Sequence, residues 1–479
     1  NAVFETTAGA ISVDTATSVG DMAYSVSQTI AGNQSLTLSG TTATVHSAVS
    51  ATISASLGGD TLTKAGAGAL ILSGSNSHTG LTTVSAGVLD VRSGAALGTT
   101  AGGTTVADGA SLHLQGGITV TGESLNLIGQ GINYVTEPGA LLNISGDNRW
   151  TGDITIGSAI TRIVSNAGAL TLDGDIALTG SAANHLVLQG NGNILINGDI
   201  TGGGSSTTTL TRSGIGSGIM TLAGTNTYLG ATLITGGTLQ VGNGGDTGTL
   251  GAGNVTNNAS LIVNRTGAIT LAQVISGTGS LTQKGAGTLT LSGANSYNGL
   301  TTVSAGVLKI NHNTALGTAA AGTDVVSGAA LHLQGGITVS GESLTLAGTG
   351  FNYGGALRNL SGDNTWAGPI ATSGGQVNIT SSTGLLTFSG PVTLSASEST
   401  YNLVLIPTTN GPILVSGDIT GGADGSSVDR RSVTLGSASS GVATLSGTNT
   451  YLGRTTLNGG TLRAEGGSAI PDASMLVLG

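Results

Sequence analysis

The chain has 479 residues, 85 of them glycine, with no cysteine, 8% charged residues and a formal net charge of −10. That mixture excludes a disulfide scaffold, thiolate metal sites and helix-rich globules, because glycine costs a helix interior about 1 kcal/mol relative to alanine. With Lys64, Lys284 and Lys309 as the only lysines, it also argues against nucleic-acid or anionic-membrane partners. No stretch approaches the roughly 18 consecutive apolar residues of a membrane span, so no membrane insertion by this segment is expected. NAVFETTAGA at the start lacks the basic and apolar regions of a signal peptide.

In chain order, short apolar dyads flank single polar residues: Leu70/Leu72, Leu89/Val91, Leu112/Leu114, Ile118/Val120, Leu125/Leu127, Ile154/Ile156, Leu170/Leu172 and Ile176/Leu178. Alternation over three to five residues, punctuated by Gly or Asn, predicts short strands with one buried face, and the gaps are too short for intervening helices. An all-β chain of this length must hide its strand edges in sandwiches or in a solenoid whose coils pair with one another. Repetition favours the solenoid. The stretch from Leu62 to Asn133 aligns without gaps on Leu281 to Asn352, so ALILSGSNSHTGLTTVSAGVLDV becomes TLTLSGANSYNGLTTVSAGVLKI. The chain is a tandem duplication, expected as N-terminal coils over 1–56, a first repeat half over 57–278 and a second over 279–479.

A finer period lies inside each half. A GxNx(ring)xG motif occurs six times, with rings at His78, Trp150, Tyr228, Tyr297, Trp366 and Tyr451 preceded by Asn76, Asn148, Asn226, Asn295, Asn364 and Asn449. Modules of about 70 to 85 residues, each unable to bury its face alone, indicate a stacked array. The expected roles are a Gly with positive φ, an Asn whose amide satisfies its own turn, and a ring that covers the corner and pins register. His78, the least apolar ring, suggests a looser first module.

The pattern GTLTLSGANSYNGLTTVSAGVL from Gly287 resembles the autotransporter-associated β-strand repeat, also called the passenger-associated transport repeat. Copies begin near Gly68, Gly218, Gly287 and Gly441, with degenerate Trp-bearing versions at Gly146 and Gly362. The resemblance implies a right-handed parallel β-helix, displayed at or released from a bacterial surface and attached to the outer membrane. As a single elongated rod it would be on the order of 100 Å long at about 4.8 Å per coil. It implies no single activity. Such passengers include adhesins, self-associating proteins and scaffolds for a separate effector. The absence of long amphipathic barrel strands before the final SMLVLG leads to the expectation of a piece of a longer precursor or a processed passenger.

Chemistry-bearing motifs are few. His46, His78, His113, His185, His312 and His332 show no metal-ligand spacing, and Glu123/Glu342 and Asp147/Asp363 recur as duplicated positions. Paired carboxylates on adjacent coils could serve a polysaccharide-degrading β-helix enzyme. That is the competing reading, but duplication and only twelve aromatic residues weigh against it. The Gly/Asp clusters at Gly242 to Gly253 and Gly421 to Asp429 lack the iteration of calcium-binding repeats. Threonine runs are expected to form rows on a flat face. The reading is therefore a non-enzymatic structural or adhesive passenger with no cofactor and no catalytic or metal site. Its expected partners are copies of itself, end to end or side by side, and glycans or proteins on host or neighbouring cells.

Overall fold

In the computed structural model, the described residues are all but 1, 5–8, 133–138, 158–159, 180–184, 204–207, 215, 395–400, 422–430 and 473. The chain divides into two compact units, residues 1–243 with 247–254, and residues 244–246 with 255–479. Among the described residues the strands of each unit pair in parallel, as expected for a β-solenoid, with one isolated antiparallel bridge between Thr408 and Gly411, and the one helical element is a 3-10 turn at Phe351–Tyr353.

In the first unit each coil contributes up to three strands. One face stacks Leu62–Ala65, Thr82–Val84, Thr104–Val106 and Leu125–Leu127, and the second stacks Ala69–Leu72, Gly87–Val91, Ala110–Gln115 and Leu141–Ser145. The third includes Asn148–Trp150, Ala169–Leu172, Asn193–Ile196, Ile219–Leu222 and Thr238–Val241. The second unit repeats the plan, with Thr301–Val303, Val307–Ile310 and Asn364–Trp366 on its three faces.

The dyads locate the core because strand side chains alternate, placing every second residue inside. Leu70, Leu89, Leu112, Leu141, Ile163 and Leu188 stand in register on successive coils, all fully buried. In the second unit Leu289, Leu308, Leu331, Leu357, Ile379, Leu405 and Leu435 form the same ladder. Fully burying such a side chain contributes about 1.5–3 kcal/mol, and the ladder delivers that gain only when neighbouring coils are in place. Coil length varies from 19 residues (Leu70 to Leu89) to 30 (Leu405 to Leu435), and the ladder stays in register across that range.

Candidate functional site

The recurring corner is the most constructed feature of both units. All six rings are fully buried. His78 occupies the same kind of seat as the others, so the expectation of a looser first module finds no support in burial. Its Nε2 lies 3.0 Å from Thr82 Oγ1, just as Tyr228, Tyr297 and Tyr451 place their hydroxyls 2.7–2.8 Å from Thr232, Thr301 and Thr455, four residues on. The tryptophan copies use different chemistry: Ile154 and Ile370 at the fourth position offer no hydroxyl, and the buried Nε1 of each Trp has no hydrogen-bond partner among the described residues.

The asparagines act between coils. Each Oδ1 accepts a backbone N–H from the preceding coil at 2.7–2.9 Å, the donors being Leu57, Ile118, Ile200, Ile275, Ile337 and Ile419. In the His and Tyr copies the amide then donates forward, to the carbonyls of Ala96, Thr249, Ala315 and Ala469 at 2.5–2.7 Å. One side chain therefore ties three coils. In the Trp copies the forward link is relayed: Asn148 donates to Asn143, whose amide reaches Ser165 Oγ and the Ala167 carbonyl, and Asn364, Asn359 and Ser381 repeat the network. The expectation that the amide satisfies its own turn holds in three copies, where Asn148 donates to Ser145 and Gly146, Asn226 to Gly224, and Asn364 to Ser361 and Gly362, but in every copy the side chain is also answered across the stack.

The glycines also act differently from expectation. Only Gly146 and Gly362, in the Trp copies, have positive φ, at 88° and 85°. At Gly74 a Cβ would lie 2.7 Å from the Ala55 carbonyl oxygen, and at Gly224, Gly293 and Gly447 it would overlap a carbonyl of the preceding coil outright. Close backbone approach, not a left-handed turn, requires glycine there.

The corners share local geometry but not one angular position. In the first unit His78 and Trp150 stand where a third-face strand would run, since His78 pairs with Leu57 and Trp150 with Leu172. Tyr228 stands at the first face, beside Ile200–Gly202. In the second unit Tyr297 and Trp366 precede first-face strands, and Tyr451 lies beside first-face Ile419–Thr420.

Sequence reasoning missed a second inward polar system. Lys64, fully buried, donates to the carbonyls of Ala65, Gly66 and Ala86 at 2.7–2.9 Å, and burial lowers its pKa to about 8. Arg212 donates to the carbonyls of Ser213, Gly216 and Gly218, and Gln283 to those of Gly285 and Gly287. These corners turn glycine-flanked carbonyls inward, and one long donor answers several. The legible signal was a lone Lys, Arg or Gln ending a dyad just before a glycine cluster.

The carboxylates and histidines form no reactive cluster. Glu123 and Glu342 are buried and accept from Thr104 and Thr323 Oγ1, each at 2.8 Å, and burial raises both pKa values, Glu342 to about 7. Asp147 and Asp363 accept the N–H groups of Ala169 and Leu385 on the next coil. Among the described residues no group of three or more His, Cys, Asp or Glu could hold a metal ion, and no helix is long and apolar enough to cross a membrane. Most of the Gly421 to Asp429 cluster lies outside the described residues. The threonine row exists but is interrupted: Thr42, Thr63, Thr83 and Thr105 align outward, then Asn126, Thr155, Ala177 and Thr201.

The comparisons match this geometry. The passenger-associated-transport-repeat family model matches residues 62–91, 215–241, 281–310 and 438–464, taking in the four His or Tyr corners. An adhesin autotransporter, BmaC of Brucella suis biovar 1 (strain 1330), is 30% identical over 223 residues, 43% of this chain but 6% of that adhesin. The chain thus spans a small fraction of that relative's length. No solved structure matches. The repeat family implies a cell-surface or secreted location. The corner first seen as a recurring Asn and ring is the passenger-associated transport repeat, carried at four places by a parallel β-solenoid.

Proposed function

We propose that this chain is a non-enzymatic adhesive passenger, held at the bacterial outer surface, whose stacked coils form a rigid scaffold for contact with other cells. The observation that carries the reading is the coincidence of the transport repeats with inter-coil staples, together with the likeness to an adhesin autotransporter. Tying three coils through one side chain favours a stiff stack that folds by adding coils to a template, which suits a chain emerging progressively from a membrane. The duplicated carboxylates support this over polysaccharide cleavage, because Glu123, Glu342, Asp147 and Asp363 are occupied by structural hydrogen bonds. Self-association through the outward strand faces is the finer part of the proposal. Beads coated with the 479-residue chain should adhere to epithelial or bacterial cells above albumin-coated beads. Equal retention of the two kinds of bead across the panel overturns the reading.

A further inference from the structure

In the second unit, Lys309, His332 and Arg358 occupy one outward row on three successive coils, Lys309 in register with His332 and His332 with Arg358. Their neighbours Leu308, Leu331 and Leu357 point into the core, so strand alternation turns the basic residues outward, where each is half-buried. Only 13 Lys and Arg occur in the whole chain, so two of them flanking a His on adjacent coils is a local concentration. Among the described residues neither cation pairs with a carboxylate, and Arg358 Nε donates to Ser382 Oγ at 3.1 Å.

Against this row lies the turn Phe351–Tyr353. Asn352 and Tyr353 both have left-handed backbones, with φ of 49° and 60°, and the Tyr353 side chain is 83% exposed. A tyrosine held in that conformation and in water is unusual on both counts, and such strain concentrates at ligand-binding sites. The turn is fixed to the row: Thr380, the rung after Arg358, donates from Oγ1 to the Gly354 carbonyl at 2.7 Å, and a Cβ on Gly354 would lie 3.4 Å from Arg358 Nη1. The duplicate shows that the fold does not require this chemistry. There the same rungs carry Asp90, His113 and Leu142, and Asp90 is occupied by Arg92 at 2.7 Å.

We propose that Lys309, His332, Arg358 and Tyr353 form a shallow binding site for an acidic polysaccharide. This deepens, and rests on, the adhesive reading. Two cations about 10 Å apart across two coil steps suit a polymer with spaced carboxylates or sulfates better than a single small anion. Burial and the flanking Arg358 and Lys309 hold His332 down to about 4, so at neutral pH it offers uncharged hydrogen bonding between two positive charges. The exposed tyrosine supplies a flat apolar face with a polar edge against which a sugar ring can lie. A net charge of −10 disfavours the denser charge of nucleic acid.

The test is calorimetric titration of the full chain with hexagalacturonate, maltohexaose, sodium sulfate and a single-stranded DNA oligomer. Hexagalacturonate should bind, and more weakly as salt rises. The double variant Lys309→Asp/Arg358→Leu, which installs the duplicate's residues, should weaken it at least about tenfold, as loss of charge-assisted hydrogen bonds does. Tyr353→Ala should weaken it severalfold, with circular dichroism unchanged in both variants. The site is overturned by no binding, by equal affinity for maltohexaose, by sulfate or DNA binding as tightly, or by full affinity in the double variant. Coated beads that still adhere after any of these outcomes leave the adhesive reading intact. Beads that do not adhere while hexagalacturonate binds as described remove that reading and leave the site.

Discussion

Replacing Asn295 by alanine tests the three-coil staple most directly. Asn295 accepts the Ile275 N–H at 2.9 Å and donates to the Ala315 carbonyl at 2.6 Å, and the side chain is buried. Alanine would leave one donor and one acceptor unanswered on two different coils, each costing about 1–3 kcal/mol when water cannot reach it. Allowing for partial relaxation, a local loss of about 3 kcal/mol is expected, or roughly a 100-fold rise in the opening equilibrium at tenfold per 1.4 kcal/mol. A stacked array need not unfold in one step, so the suitable readout is hydrogen exchange by mass spectrometry, resolved by peptide. Peptides covering 269–277 and 311–318 should exchange roughly 100-fold faster, and coils three or more away should not change. Asn295→Asp keeps the acceptor, so it should spare the 269–277 peptide more than the 311–318 peptide. Ser296→Ala, at the exposed next residue, is the control. If Asn295→Ala exchanges like Ser296→Ala, the staple contributes nothing and the reasoning fails.

Three further outcomes follow from the same geometry. Tyr297→Phe removes a hydroxyl pair with Thr301 and should cost about 1 kcal/mol, whereas Tyr297→Ala opens a cavity and should cost about 3–5 kcal/mol, both by urea denaturation with a local probe. Gly299→Ala drives a Cβ into the Gly279 carbonyl of the preceding coil and should destabilise its module more than Asn298→Ala, at the exposed neighbour, does. For Glu342, burial raises the pKa from 4.5 to about 7 against the opposing Thr323 hydrogen bond, so the folded state binds its proton more tightly than the unfolded chain. That contribution is complete below about 4.5 and is lost as pH rises through about 7, so the stability of the native chain minus that of Glu342→Gln should fall across this window. A flat difference in urea midpoints from pH 4.5 to 7 would refute it. Taking the difference cancels the opposite slope of His332, which gains stability as pH rises from its lowered value of about 4.

Strand positions were legible because alternation is local: Leu70/Leu72 and Leu89/Val91 each declare an inward face without help from the rest of the chain. The corners were legible as repeated places but not as mechanisms. An Asn before a ring looks the same whether its amide closes its own turn or reaches Ala315 twenty residues away, and only coil stacking decides. The same holds for Gly293, whose φ is not positive but whose Cβ would meet the Gln273 carbonyl of another coil. Lys64 was counted among the charges when it is a core residue, because the three carbonyls that receive it come from a corner whose direction no local pattern announces. The angular shift of Tyr228 and Tyr451 relative to the other rings depends on which strand is omitted from a coil, which likewise has no signature in a GxNx(ring)xG match.

The two copies also show that the fold selects hydrogen-bond accounts rather than residue types. In the first unit the tripeptides Gly152–Asp153–Ile154, Gly174–Asp175–Ile176 and Gly198–Asp199–Ile200 stack on one edge. There the Asp175 N–H donates to the Asp153 carboxylate at 3.0 Å, Asp199 to Asp175 at 2.8 Å, and Thr225 to Asp199 at 2.6 Å. Each carboxylate is needed because the next coil presents a backbone N–H with no strand partner. In the second unit the corresponding residues are Pro369, Pro391 and Asp418. Pro391 has no N–H, so position 369 needs no acceptor, whereas the N–H of Asp418, an exposed residue, meets no carboxylate at 391 and is left to water. The aspartate returns at 418, where Thr448 on the following coil again has an N–H to donate and does so at 2.8 Å. Exchanging Asp for Pro looks severe in an alignment of the halves, yet between coils 369 and 391 it removes a donor together with its acceptor, and the one donor that loses its carboxylate, at Asp418, lies on an exposed residue.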